Sequence, residues 1–117
     1  MEQAASDLAV RAALDQSLFR DVNEKLRDLN KAFETSTRSS EFVCECANRD
    51  CIEHVTMTLD EYERVRSVST HFLVLRDHSH VLPEVEEVVA EHATYFVVEK
   101  VGDAGAAAIR LDPRSRS

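Results

Sequence analysis

The chain reads as an α+β fold: a long N-terminal helix, then a small mixed sheet built from a cysteine-bearing β-hairpin and two further strands, with two short helices. Three observations predict it. Residues 4–34 contain neither Gly nor Pro and repeat apolar side chains at three-and-four spacing. Short apolar and β-branched runs follow, separated by turn residues. Three cysteines fall within eight residues of a chain that has no others.

The first helix, assigned to residues 1–36, carries Ala5, Leu8, Ala12, Phe19, Val22, Leu26, Leu29 and Phe33 as a heptad seam, with Asp15 as its one polar break. The seam either packs on the chain's own sheet or pairs with a second helix. A helix of about 30 residues is roughly 45 Å long. The body after it, by compact-domain scaling, has a radius of gyration of roughly 11 Å. The mismatch predicts a homodimer through this helix, with Phe19, Val22, Leu26, Leu29 and Phe33 in the contact.

Thr35 to Ser40 is a polar linker. Glu41 to Cys46 reads as a strand with Phe42, Cys44 and Cys46 on one face. A turn at Ala47 to Asp50 leads to a returning strand, Ile52 to Met57, with the cysteines at the hairpin tip. Thr58 and Glu61 form a capping box that opens a helix running to about Val68. Phe72 to Leu75 is a buried strand. Pro83 opens a second short helix with Val85, Val88, Val89 and His92 on one face. Tyr95 to Val101 is the last strand. Residues 41–101 form the small α+β domain, and 102–117 read as a disordered tail.

The formal net charge of -8 disfavours nucleic acid and favours a protein partner. No apolar run approaches the roughly 20 residues that span a bilayer. The start lacks the basic and apolar regions of a signal peptide, which predicts a cytoplasmic protein with reduced thiols.

In that setting the Cys-x-Cys-x4-Cys cluster reads as metal-ligating. Cys44, Cys46 and Cys51 supply three corners of a zinc tetrahedron, and one imidazole supplies the fourth. His54 would make a local site, Cys-x2-His. His78 and His80 lie in a loop that can sit beside the hairpin tip, and spacing alone does not choose. His71 and His92 read as solvated or core residues.

Phe42-Val43-Cys44-Glu45-Cys46, Asp50-Cys51 and Leu59-Asp60-Glu61-Tyr62-Glu63 resemble a family of small bacterial proteins of unknown function. Phe19-Arg20-x-Val22-Asn23-Glu24, Phe72-Leu73-Val74-Leu75-x-x-His78 and Tyr95-x-Val97-Val98-Glu99-Lys100 are similar to its other motifs. The likeness covers about residues 18 to 101. It implies a histidine ligand at His78 and a varied residue at His54, so the expected set is Cys44, Cys46, Cys51 and His78. It implies no activity. The spacing also resembles the zinc clasp after histone methyltransferase domains, but nothing else here matches that enzyme.

The expected role is a small zinc-stabilised interaction or regulatory module. A redox- or zinc-responsive sensor using the same thiols is the first alternative. A small zinc enzyme with Glu45 or Glu53 as base is the second; it would need an open metal position, and no His-Glu-x-x-His or nucleophile elbow is present.

Overall fold

The computed structural model describes residues 2–32 and 39–116, with side chains from Asp7 onward to Arg114. Phe33 and most of the expected linker lie outside the described residues, as does the side chain of Ala5. The α+β class is as expected. Helix α1 runs Glu2–Ala32, β1 Ser39–Val43, β2 His54–Thr58 and α2 Leu59–Arg66. Then come β3 His71–Leu75, a 3-10 turn His78–His80, β4 Glu86–Glu91, β5 Tyr95–Lys100 and α3 Gly102–Leu111. A second 3-10 turn covers Pro113–Arg116.

The strands form two antiparallel sheets in place of one mixed sheet. Strands β1 and β2 make the hairpin, with Phe42 opposite Val55. The other sheet has the order β3-β5-β4. Beneath them Phe42, Val55, Met57, Tyr62, Phe72, Val74 and Val98 form the main core, each at most 1% exposed. Phe42 stacks on Tyr62 with ring centroids 4.4 Å apart, which fastens the hairpin to α2. The capping box at the start of α2 is present: Glu61 N–H donates to Thr58 Oγ1, and Thr58 N–H donates to Glu61 Oε1.

Two expectations fail here. Pro83 opens no helix; Glu86 to Glu91 pair with β5 instead. The β-branched pair Val88-Val89 favours a strand, and the ladder offered by β5 satisfies its backbone. The three-and-four spacing of valines that argued for a helix is incidental. Residues 102 to 111 are not a disordered tail. They form α3, which packs on α1 and buries Ala104, Gly105, Ala107 and Ala108. Alanine is the best helix former, and small side chains let two helices approach closely.

The buried face of α1 also differs from the expected seam. It consists of Ala9, Ala12, Ala13, Gln16, Ser17, Arg20 and Asn23. Phe19 and Leu26 are half-buried, whereas Leu8, Val22 and Leu29 are exposed. Ala9 and Ala12 cluster with Ala104 of α3, while Gln16 and Asn23 reach Glu45 and Val43. Arg20 lies over the Phe72 ring, 4.4 Å from its centroid, and donates to Ser69 O at 2.7 Å and Ala108 O at 2.9 Å.

After α3 the chain is tied back. Asp112 pairs with buried Arg66 at 2.5 Å. Arg114 bonds Glu24 of α1 at 2.6 Å and Glu63 of α2 at 2.9 Å. Arg114 is therefore engaged within the protein.

The closest approach is at Gly105, where an added Cβ would stand 2.9 Å from the Lys100 carbonyl oxygen. Backbone cannot yield as a flexible side chain can. Gly105→Ala should therefore cost about 1–3 kcal/mol despite alanine's better helix propensity. Chemical denaturation beside Ala106→Ser, at an exposed neighbour, measures it. Equal stability for Gly105→Ala and the parent would refute this close packing.

Candidate metal centre

The site is built by two loops on a shared scaffold. Beyond β1 the chain continues as a short extended segment: Cys44 N–H donates to Glu53 O at 3.0 Å, and Glu45 N–H to Leu73 O at 2.8 Å. Alternation then buries Cys44 and Cys46 at 1% and 2% exposure, as the sequence predicted for one strand face. The turn is closed locally, with Asp50 N–H on Asn48 Oδ1 and Cys51 N–H on Asn48 O, each 3.0 Å. This brings Cys51, which is half-buried, back to the other two.

The second loop follows β3. Asp77 caps the His78–His80 turn by accepting from Ser79 N–H at 2.9 Å. That turn carries His80 to the thiols. His80 Nδ1 stands 3.5 Å from Cys44 Sγ and 3.8 Å from Cys51 Sγ. The donor atoms of Cys44, Cys46, Cys51 and His80 all lie within 4.8 Å of one another.

The group thus contains His80 in the place where His78 was expected. His78 is exposed, its ring 5.0 Å from that of Phe96. His54 is also exposed, with Nδ1 3.7 Å from Glu41 Oε2. The three cysteines expected to converge do so.

These residues could hold a metal ion, and their spacing can be compared with that of a zinc tetrahedron. With Zn–S of about 2.3 Å and Zn–N of about 2.0–2.1 Å, a tetrahedron sets sulfur–nitrogen separations of roughly 3.6 Å. The two measured separations lie on either side of that value. Leu75 N–H donates to Cys44 Sγ at 3.3 Å, a contact that favours the thiolate. Hydrogen bonding within the cluster, with Cys44 first and His80 assisting, pushes the Cys46 thiol down to about 5. Its partner Cys44 is raised by the same shared proton and by burial, and burial raises Cys51. A metal ion taken by all four donors would displace the protons that remain on these thiols.

The sequence reading missed the residues that hold the loop. Glu45, considered as the base of a zinc enzyme, is fully buried between the two cysteines. Asn23 Nδ2 donates to its Oε2 at 2.7 Å, and Leu73 N–H to its Oε1 at 3.1 Å. Burial pushes the Glu45 carboxyl up to about 7, opposed by those bonds and by the charges of Arg20 and Arg66. Gln16 Nε2 donates to Glu45 O at 2.9 Å. The spacing of Gln16, Arg20 and Asn23 places them on one helix face, a signal that was present in the sequence.

No protein-family model matches the chain, and no curated protein or solved structure matches it.

His80→Ala should weaken zinc retention at least about 100-fold, beyond the loss usual for an outer-shell residue. His78→Ala and His54→Ala should leave it near the parent value. Competition with a chromogenic chelator reads this, and retention by His80→Ala would exclude His80 as a ligand. Asn23→Ala should lower zinc affinity roughly 10–100-fold, because the loop loses its outer support. It should also cost about 2–4 kcal/mol by stranding buried polar groups. The same competition assay with a denaturation curve checks both, and unchanged values would deny Asn23 this role.

Proposed function

We propose that the chain is a small zinc-stabilised interaction module whose metal is structural. The observation that carries this reading is the convergence of four donors from two loops. Three thiolates and an imidazole complete a tetrahedron, and a catalytic site would keep one position for water. A cleft of about 410 Å³ does open beside Cys46 and His80, bordered by Leu8, Arg11 and Leu82. With His80 in the fourth position, no open coordination site faces it.

Support for the interaction role comes from α1. Its solvent side carries Val10, Leu14, Leu18, Val22 and Leu29, between 38% and 60% exposed. At about 100° per residue these form one stripe, nearly opposite the buried face. Such a stripe marks a protein contact or an aggregation liability. A second copy of the helix is the simplest cover, with the twofold symmetry usual in homo-oligomers. The contact would centre on Leu14, Leu18, Val22 and Leu29, which shares Val22 and Leu29 with the sequence expectation.

The reading requires about one zinc per chain and a dimer mass in solution. Elemental analysis and light scattering measure these. Leu18→Asp should give a monomer that still holds zinc. Metal-free reduced protein would sink the structural-zinc reading, and a parent monomer at tens of micromolar would sink the dimer.

One observation favours a second reading, a thiol-based sensor. Cys51 is the least buried of the ligands that carry sulfur, and an accessible thiolate is the first to oxidise. Zinc release by mild peroxide, reversed by a thiol reductant, would favour it. Zinc retained under peroxide would remove it.

A further inference from the structure

A second concavity lies away from the metal centre, between α2 and the three-stranded sheet. We propose that it is a binding site for a small organic anion with an apolar body, of the kind a medium-chain carboxylate represents. The reading stands independently of the metal.

The cleft measures about 600 Å³, within the range of small-molecule sites. Its floor is apolar: Val65, Val89, Ala90 and Val97. Val89 sits at an irregularity in β4, where the pairing passes from Val88 opposite Val98 to Ala90 opposite Val97. The extra residue has no place in the ladder, a β-bulge that re-aims its side chain. Val89 stays 43% exposed in the apolar lining of the cleft. An apolar residue held open at a bulge over an apolar floor is a place for an alkyl or aryl group.

The rim supplies the other half of the ligand. Arg64, His71 and His92 line it in a chain whose net charge is -8. Arg64 is exposed, and among the described residues its guanidinium makes no ion pair. Glu61, the acidic residue on this rim, has both carboxylate oxygens in use. Oε1 accepts from Thr58 N–H at 3.1 Å and Oε2 from the Tyr95 hydroxyl at 2.8 Å. His92 stacks on Tyr95, ring centroids 4.5 Å apart, and so is held at the edge. His71 Nε2 lies 3.4 Å from Glu99. A carboxylate at Arg64 and His92, with its chain over Val89 and Val97, satisfies both halves.

Decanoate, with decanol as its uncharged counterpart, is the probe. Titrated into the zinc-loaded full chain below its micelle concentration, decanoate should give saturable amide shifts centred on Val89, Ala90, Tyr95 and Val97. Decanol should bind roughly tenfold more weakly, since a charge-assisted contact contributes that much. Arg64→Glu should weaken decanoate at least tenfold while leaving decanol unchanged, and Val89→Asp should abolish both. Both substitutions are at exposed positions, and retained zinc with an unchanged spectrum elsewhere confirms the fold. Shifts centred on Leu14, Leu18 and Leu29 would show adsorption to the α1 stripe and overturn the proposal. So would equal decanoate affinity for Arg64→Glu and the parent, or no saturable shift at all.

Discussion

The side-chain amide of Asn23 is the contact on which the shape of the metal centre depends. Its Nδ2 donates to Val43 O at 2.8 Å and to Glu45 Oε2 at 2.7 Å, and its Oδ1 accepts from Val43 N–H at 2.8 Å. It therefore serves β1 as a neighbouring strand would, at the residue where regular pairing ends. Glu45 is pinned on one side of the extended segment. The flanking Cys44 and Cys46 must then point to the other side, because successive side chains alternate. Two thiol positions follow from one helix residue.

Other buried charges extend the same arrangement. Gln16 Nε2 bridges Glu45 O and Glu86 Oε1, and Glu86 pairs with Lys100 at 2.6 Å with both side chains fully buried. Arg66 with Asp112, both buried, and the partly exposed Arg114 with Glu24 and Glu63, lock the end of the chain against α1 and α2. Buried pairs add little net stability against an apolar alternative, but breaking one strands a charge at a cost of about 3–5 kcal/mol. Their effect is on specificity: α1 has one register in which all of these partners meet. That explains why its inward face is mostly small and polar while Leu8, Leu14, Leu18 and Leu29 face out.

The class of fold was legible because its signals are local. The uninterrupted helix, the capping box at Thr58 and Glu61, and the apolar run at Phe72 each depend on neighbours in sequence. The three cysteines were legible for the same reason. What failed depends on partners far along the chain. Residues Glu86 to Glu91 have helical spacing and become a strand because β5 is beside them. The Ala-rich stretch after Gly102 looked like a tail because it has no side-chain cap and little bulk. Its stripe of Ala104, Ala107 and Ala108 was the missed sign of a helix packed on α1. The orientation of α1 was misread because the leucine seam was followed and the polar row Gln16, Arg20 and Asn23 was not.

The choice between His78 and His80 is likewise a matter of geometry that spacing cannot express. In a turn of three residues per revolution, residues two apart point to well-separated directions. Only one of the two imidazoles can face the thiols. The loop is fixed at its start, where Leu75 N–H meets Cys44 Sγ, and at its turn, where Asp77 caps Ser79. With the loop held at those points, His78 falls against Phe96 and His80 falls on the cluster. A cation held there links the tip of the hairpin to the loop after β3. It joins the two sheets at a point where each sheet alone is small. A two-stranded hairpin is marginal by itself, and a bond closing the loop from Cys51 to His80 restricts the unfolded chain as a cross-link does. The metal reading and the fold support each other for that reason: the ligands come from the two parts that most need joining.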